Sequence, residues 1–261
     1  MPQTVRKNFE EKAAYFARSL TGMAVIERAS FLAVDCGLPS DTFNVIVARD
    51  LSATEQILQE GVGHFMAKQF PVAVWTWEDT ADRSGMDALL AYGLTHNETN
   101  VAMVADLAET AFNIAMPTGL VIQHAESASE LQQFGSLIAR LFGASEEAPQ
   151  VAAYFTQLSQ QPLLRLPAMR HYIGTYQQEA VATGTLFIGS ETIGIYDITT
   201  QVAYRQRGIG SAMFAHLLHE ARAYPPRYAA LQASPDGIGI YRKAGFITVG
   251  EVRVFENRAL L

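Results

Sequence analysis

The 261-residue sequence predicts a mixed α/β (α+β) fold in two units, each a mixed β-sheet flanked by helices. Three observations carry this. Short apolar β-type runs alternate with helix-period stretches along the chain. The alternation stops over 109–118, which holds Asn113, Pro117 and Thr118, and then restarts. A strand followed by a helix that ends in glycine plus an apolar residue occurs twice. Val72-Ala-Val-Trp75 precedes Leu89-Leu-Ala-Tyr-Gly93-Leu94, and Ala229-Ala-Leu-Gln232 precedes Tyr241-Arg-Lys-Ala-Gly245-Phe246. The expected division is 1–112 and 119–261.

In the first half, Phe9, Ala13, Phe16 and Leu20 mark one face of a helix over 8–20. Strands are expected from Met23, from Ser30 and over 42–48, with turn chemistry in Gly37–Asp41. Ser52 or Thr54 caps a helix reaching Lys68, and 72–77 reads as a buried strand. A short helix over 86–92 ends at Gly93, and strands follow to about 107. Trp75, Trp77, Phe65 and Phe70 read as core.

The second half opens with a strand over 119–124. A helix from Ser127 to Phe142 comes next, with Leu131, Phe134, Leu137, Ile138 and Leu141 on one face. Another helix runs from about Glu146 to Gln160. Strands are expected near 163–168, 170–175, 180–187 and 191–200. After them come a helix over 208–223, a strand over 228–234, a short helix over 236–244 and terminal strands. Ile209, Met213, Phe214, Leu217, Leu218 and Ala221 form the apolar stripe of the long helix, which Pro225 and Pro226 end.

Composition narrows the function classes. With 49% hydrophobic and 17% charged residues, the chain can bury a substantial core. A net charge of −7 argues against a general nucleic-acid binder, which needs a basic footprint. Cys36 is the only cysteine, so no intrachain disulfide or cysteine-based zinc site can form, and a reducing cytosol is the expected compartment. The polar start lacks a signal-peptide core, and no apolar run approaches the ~18 residues of a membrane span.

The chemistry concentrates in Arg205-Gln206-Arg207-Gly208-Ile209-Gly210, an R-x-x-G-x-G turn leading into a helix. Converging amides at such a turn and the positive end of a helix dipole together hold an anion, most naturally a phosphate or pyrophosphate. A Walker A loop fits poorly because Gly210 is followed by Ser211-Ala212 rather than Lys-Ser/Thr. A dinucleotide fingerprint lacks its third glycine here and would stand too late in the chain. His216 and His219 are three apart on the long helix, but apart from Glu220 no third ligand stands beside them, and no metal is expected.

With Tyr241 one helical turn before Gly245-Phe246, the two segments in this order and spacing resemble the GNAT superfamily of acyl-CoA-dependent N-acyltransferases. The resemblance is specific over about 190–250, looser over 119–190 and only suggestive over 1–108. It implies two GNAT-like domains, a degenerate N-terminal one over 1–112 and an intact acetyl-CoA-binding catalytic one over 119–261. In the first, Leu89 stands where Tyr241 should be, and Leu51-Ser-Ala-Thr-Glu-Gln56 replaces the glycine turn.

The resemblance implies acetyl-CoA as co-substrate, direct attack by an amine and no acyl-enzyme. The pyrophosphate would lie on the backbone of Gln206, Arg207, Gly208, Ile209, Gly210 and Ser211, with charge added by Arg205 and Arg207. The strand before the turn would bulge, splay from its neighbour and pair with the pantetheine arm at Ile198, Thr199 and Thr200. Val202 stands where many members have proline, and Ser234 where many have an arm-binding asparagine. Tyr241 would protonate the departing thiolate, since a phenol of pKa about 10 suits a thiol of about 8.5. The other reading of Tyr241 is an aromatic packed beneath the terminal strands. Asp197 is the candidate base if it faces the cleft. By strand alternation it shares a face with Ile195 and Thr199, and solvent exposure is the alternative. Glu251 and Glu256 are weaker candidates. The expected partners are acetyl-CoA and an amine, favoured as a small molecule, with a homodimer left open and neither nucleic acid nor a membrane expected. The competing class is a non-catalytic CoA-binding or sensing protein.

Overall fold

A computed structural model describes residues 2–80, 82–161, 167–235 and 237–261. The chain divides into two compact units: residues 1–102, 232–235 and 248–261 form the first, and 103–231 with 236–247 the second.

In the first unit, helix α1 (Pro2–Ala17) precedes strands β1 (Ala24–Glu27), β2 (Phe31–Asp35) and β3 (Val45–Ala48). A helical run comes next: a tight turn over Leu51–Ala53, α2 (Thr54–Gln56), a π-helical stretch over Ile57–Val62 and α3 (Gly63–Lys68). Then come β4 (Ala73–Trp77), α4 (Arg83–Tyr92) and β5 (Thr95–Asp106), whose last four residues belong to the second unit. β1 and β2 pair antiparallel, as do β2 and β3, while β3 and β4 run parallel. The core gathers Phe31, Ile46, Leu51, Ile57, Phe65, Val74 and Leu89, all at or near zero exposure.

The second unit contains β6 (Leu120–His124), α5 (Ala128–Ala139), α6 (Glu147–Ser159), β7 (Met169–Tyr176), β8 (Glu179–Ile188) and β9 (Thr192–Thr200). These are followed by α7 (Ile209–Ala221), β10 (Tyr228–Ala233) and α8 (Ile238–Lys243). β6, β7, β8 and β9 pair antiparallel in sequence, and β9 pairs with β10 in parallel. The order antiparallel, antiparallel, parallel over β7–β10 repeats that over β1–β4, so the two units share a plan. Ser127 starts α5 with a full capping box, its hydroxyl accepting from the Glu130 amide while Glu130 returns to the Ser127 amide. On one side of the second sheet, Phe134 and Phe155 enclose the ring of His171 at 4.6 and 5.7 Å. On the other side, Met213 and Leu217 of α7 reach Gly184, where a Cβ would meet both.

The sequence division at 1–112 and 119–261 differs from the structural one. β11 (Ile247–Glu256) pairs antiparallel with β4, from Val252 opposite Trp77 to Glu256 opposite Ala73, and so completes the first unit's sheet. The wholly buried Asn257 fixes this strand end by accepting from the Val72 amide at 2.8 Å and donating to the Phe70 carbonyl at 3.1 Å. A pairing so distant in sequence leaves no local signature.

Several local expectations shift. The terminal strands are the single β11, and the strands after Gly93 are the single β5. The helical run after β3 is capped by Asp50, whose carboxylate accepts from the Ser52 amide at 2.9 Å, not by Ser52 or Thr54. Leu141 is exposed because α5 tightens after Ala139 and turns its last residues outward. The strand near 163–168 falls mostly outside the described residues, and Pro167 and Ala168 form a turn.

α5 and α6 pack closely because Gly135 carries no side chain; a Cβ there would collide with Phe155. Gly135→Ala is expected to destabilise the protein by about 1–3 kcal/mol through overpacking. A thermal melt checks this, and an unchanged midpoint would mean that the helices can separate at no cost.

Candidate acyl-CoA site

The site begins where β9 stops pairing. Its parallel ladder with β10 runs only from Thr192–Tyr228 to Gly194–Ala230, although β9 continues for six more residues. On the other edge, pairing with β8 slips between Thr183 and Thr185, so Asp197 and Ile198 together oppose Gly184. This is a β-bulge. Asp197 holds a φ of +54°, a region costly for most side chains and tolerated best by Asp, Asn and Gly. Its carbonyl accepts from the Thr183 hydroxyl at 2.7 Å, and that hydroxyl lies 2.9 Å from Thr199 Oγ1.

The bulge overturns the alternation expected for Asp197. Thr183 and Thr185 share a face, and their partners are Thr199 and Tyr196, so these two lie on one face despite an odd separation. Ile195, opposite Leu186, lies on the other face, and so does Thr200, opposite Ala182. Asp197 therefore does not share a face with both Ile195 and Thr199. It is partly exposed at the bulge. Ile198, Thr199 and Thr200 continue along the edge that β10 leaves open.

Beyond β9, a tight turn over Val202–Tyr204 leads into the glycine turn. Gln206 and Gly208 have φ of +61° and +77°. Ala212 donates to the Gly208 carbonyl at 2.9 Å, the first bond of α7, while the amides of Gln206 through Ser211 donate to no acceptor among the described residues. Six free donors at the start of a 13-residue helix make an anion cradle. The two glycines have different reasons. Gly208 is required by its positive φ, whereas a Cβ on Gly210 would lie 3.2 Å from Thr200 Oγ1, so Gly210 lets the helix approach the strand.

Both arginines brace the turn. Arg205 Nε donates to the Thr200 carbonyl at 3.2 Å. Arg207 donates to the Ala203 carbonyl at 3.2 Å and lies over the Tyr204 ring. Their remaining donors are exposed.

The spacing of Tyr241 to Gly245-Phe246 has a backbone cause. The Phe246 amide donates to the Tyr241 carbonyl at 3.0 Å and the Gly245 amide to the Arg242 carbonyl at 3.1 Å, with Gly245 at φ +95°. This is a Schellman ending, with Phe246 packed back on Tyr241. Tyr241 stands edge-on to Phe214 of α7 at 4.9 Å. Its hydroxyl has no hydrogen-bond partner among the described residues, and burial pushes its pKa above the ordinary tyrosine value. A packing role and a proton at neutral pH are thus both present in one residue.

The first unit has the same skeleton without the chemistry. Leu94 donates to the Leu89 carbonyl and Gly93 to the Leu90 carbonyl, the same ending as in α8, but the residue at Tyr241's place is the buried Leu89. The parallel ladder there reaches Val47, one residue from the end of β3, so no edge opens. The Asp50 carboxylate already occupies the helix start, where an anion would otherwise bind.

Ser234 is exposed just beyond β10 and groups with the first unit, as does Glu251. Glu256, also in the first unit, is bonded by Asn97 at 2.6 Å. His216 lies edge-on to Tyr172, its pKa lowered by burial, and His219 is exposed. Among the described residues no cluster of three His, Cys, Asp or Glu side chains suits a metal, and no helix is long and apolar enough to cross a membrane. Thr183 was missed by the sequence reading. Its signal was the pair Thr183 and Thr185 in an otherwise apolar strand.

Residues 132–246 match the family model described as the acetyltransferase (GNAT) family, and the chain as a whole has a two-domain GNAT-like fold. The match supports an acyltransferase function at the level of the family. A GCN5-related N-acetyltransferase from Kribbella flavida superposes with a TM-score of 0.66 at 16% identity, over 97% of this chain and 98% of that one. A GCN5-related N-acetyltransferase from Sphaerobacter thermophilus gives 0.58 at 13% identity, over 90% and 75%. A tandem GNAT protein from the clavulanic acid biosynthesis pathway gives 0.56 at 9%, over 97% and 94%. At these identities the likeness is of fold alone. Among curated proteins, none matches this sequence.

The raised pKa of Tyr241 is open to measurement. The alkaline absorbance titration of the wild type minus that of Tyr241→Phe is expected to show a midpoint above the free-tyrosine value of about 10. A midpoint at or below it would contradict the burial described.

Proposed function

We propose that the second unit is an N-acyltransferase that moves an acetyl group from acetyl-CoA to the amine of a small acceptor. The observation that carries this reading is the run of free amides over 206–211 beside the open edge of β9. The amides suit a pyrophosphate, and the edge suits the amide groups of a pantetheine arm, which pair as a short strand would. Ile198, Thr199 and Thr200 supply the backbone for that arm. The first unit is a degenerate copy without an acyl-CoA site.

In this mechanism the neutral amine attacks the thioester carbonyl directly. A new C–N bond forms and the C–S bond breaks. Tyr241 gives its proton to the departing sulfur, and the excess proton on nitrogen leaves to Asp197 or to water. Direct attack needs no acyl-enzyme, and the absence of a cysteine from the second unit agrees with it. A single buried cysteine suits a reducing cytosol.

Titration calorimetry with acetyl-CoA tests the binding half. Gly208→Asp puts a strained side chain and a like charge where phosphate would lie, and is expected to weaken binding by at least about tenfold. A folded variant with unchanged affinity would reject the turn assignment.

Tyr241→Phe tests the chemical half. The rate of thiol release with an accepted amine is expected to fall by about 10²–10⁴, the usual worth of a general acid, with acetyl-CoA affinity within about twofold. A wild type that binds acetyl-CoA but turns over none of a broad amine panel would favour the sensing reading.

A further inference from the structure

We propose that Thr183 is a positioning residue that locks the bulge of β9 and so aims the backbone of Ile198–Thr200 at the open edge. The inference rests on the acyl-CoA reading above. β8 is apolar at its other buried side chains, Val181, Ala182, Leu186 and Phe187, yet carries Thr183 and Thr185 at 0% exposure. A buried hydroxyl without a partner is costly, so these two threonines are expected to be engaged. Thr185 is bonded to His171 Nδ1 at 3.1 Å. Among the described residues Thr183 is bonded only to β9, at the Asp197 carbonyl and the Thr199 hydroxyl.

Proton counting fixes the direction of both bonds. Thr183 has one hydroxyl proton, and a carbonyl only accepts. Thr183 therefore donates to Asp197, and Thr199 donates to Thr183. The proton of Thr199 is drawn inward, which leaves that hydroxyl able only to accept and the backbone as the residue's remaining donor to a ligand. The Asp197 carbonyl, displaced from the regular ladder by the slip opposite Gly184, is held in place by the same atom. A one-residue slip of β9 would exchange the faces of Ile198, Thr199 and Thr200. The hydroxyl of Thr183 is the side-chain group that opposes this slip from the neighbouring strand.

The test uses the full chain with Thr183→Val, which keeps the shape and removes the hydroxyl, and Thr183→Ser, which keeps the hydroxyl. Calorimetry compares acetyl-CoA with ADP, which has a pyrophosphate but no pantetheine arm. Thr183→Val, which removes both bonds, is expected to lose at least about tenfold in acetyl-CoA affinity, with ADP affinity unchanged and Thr183→Ser close to wild type. A folded Thr183→Val with wild-type affinity, an equal loss for both ligands, or no rescue by serine would overturn the proposal. If Thr183→Val fails to fold, Thr199→Val removes the second bond and should shift acetyl-CoA affinity in the same direction. A wild type that binds no acetyl-CoA would defeat the functional reading itself. Amide hydrogen exchange over 197–200 then judges the lock alone. Faster exchange in Thr183→Val but not in Thr183→Ser supports it, and equal exchange overturns it.

Discussion

Strand β9 must do two things that conflict. Its first half belongs to a buried sheet, where every amide and carbonyl needs a ladder partner. Its second half leaves the edge toward β10 unpaired, the edge proposed to receive the pantetheine arm. The bulge at Asp197–Ile198 reconciles them by bending the strand away from β10 after Gly194 while keeping it bonded to β8. The placement of residues 200–210 depends on that bend. Thr200 meets Gly210, Arg205 returns to the Thr200 carbonyl, and the glycine turn is set beside the open edge.

The aromatic column on α7 ties the other side of the site to the same helix. Phe214 packs against the rings of Phe112, Tyr241 and Phe246. The helix that offers its amide end to an anion therefore also fixes the ring of the proposed acid. Tyr241 is held at its ring and free at its hydroxyl, the arrangement expected of a proton donor set by packing rather than by a hydrogen bond. Its raised pKa has the same origin, since the surrounding rings disfavour the phenolate.

The first unit acts as an internal control for this reading. It repeats the strand order and the helix ending, yet its parallel ladder stays closed, its helix start is filled by Asp50 and Leu89 takes the tyrosine position. Fold and site separate cleanly here: the sheet plan tolerates the loss of every chemical group, because the plan depends on apolar burial and backbone pairing.

The sequence by itself determined what is local. The capping box at Ser127, the apolar stripe of α7, the left-handed endings at Gly93 and Gly245, and the glycine turn at 205–210 all arise from steric limits and bonding within a few residues. The resemblance, which rests on the glycine turn and on Tyr241 with Gly245-Phe246, was legible for the same reason. Tertiary structure alone decided three things: that β11 completes the first unit's sheet, that Asp197 leaves the alternation expected of it, and that Thr183 bonds to β9. Each depends on which strand lies alongside, and strand partners are chosen by register and burial across the whole chain. A sequence pattern of period two continues straight through a bulge, and only the neighbouring strand shows where the period breaks.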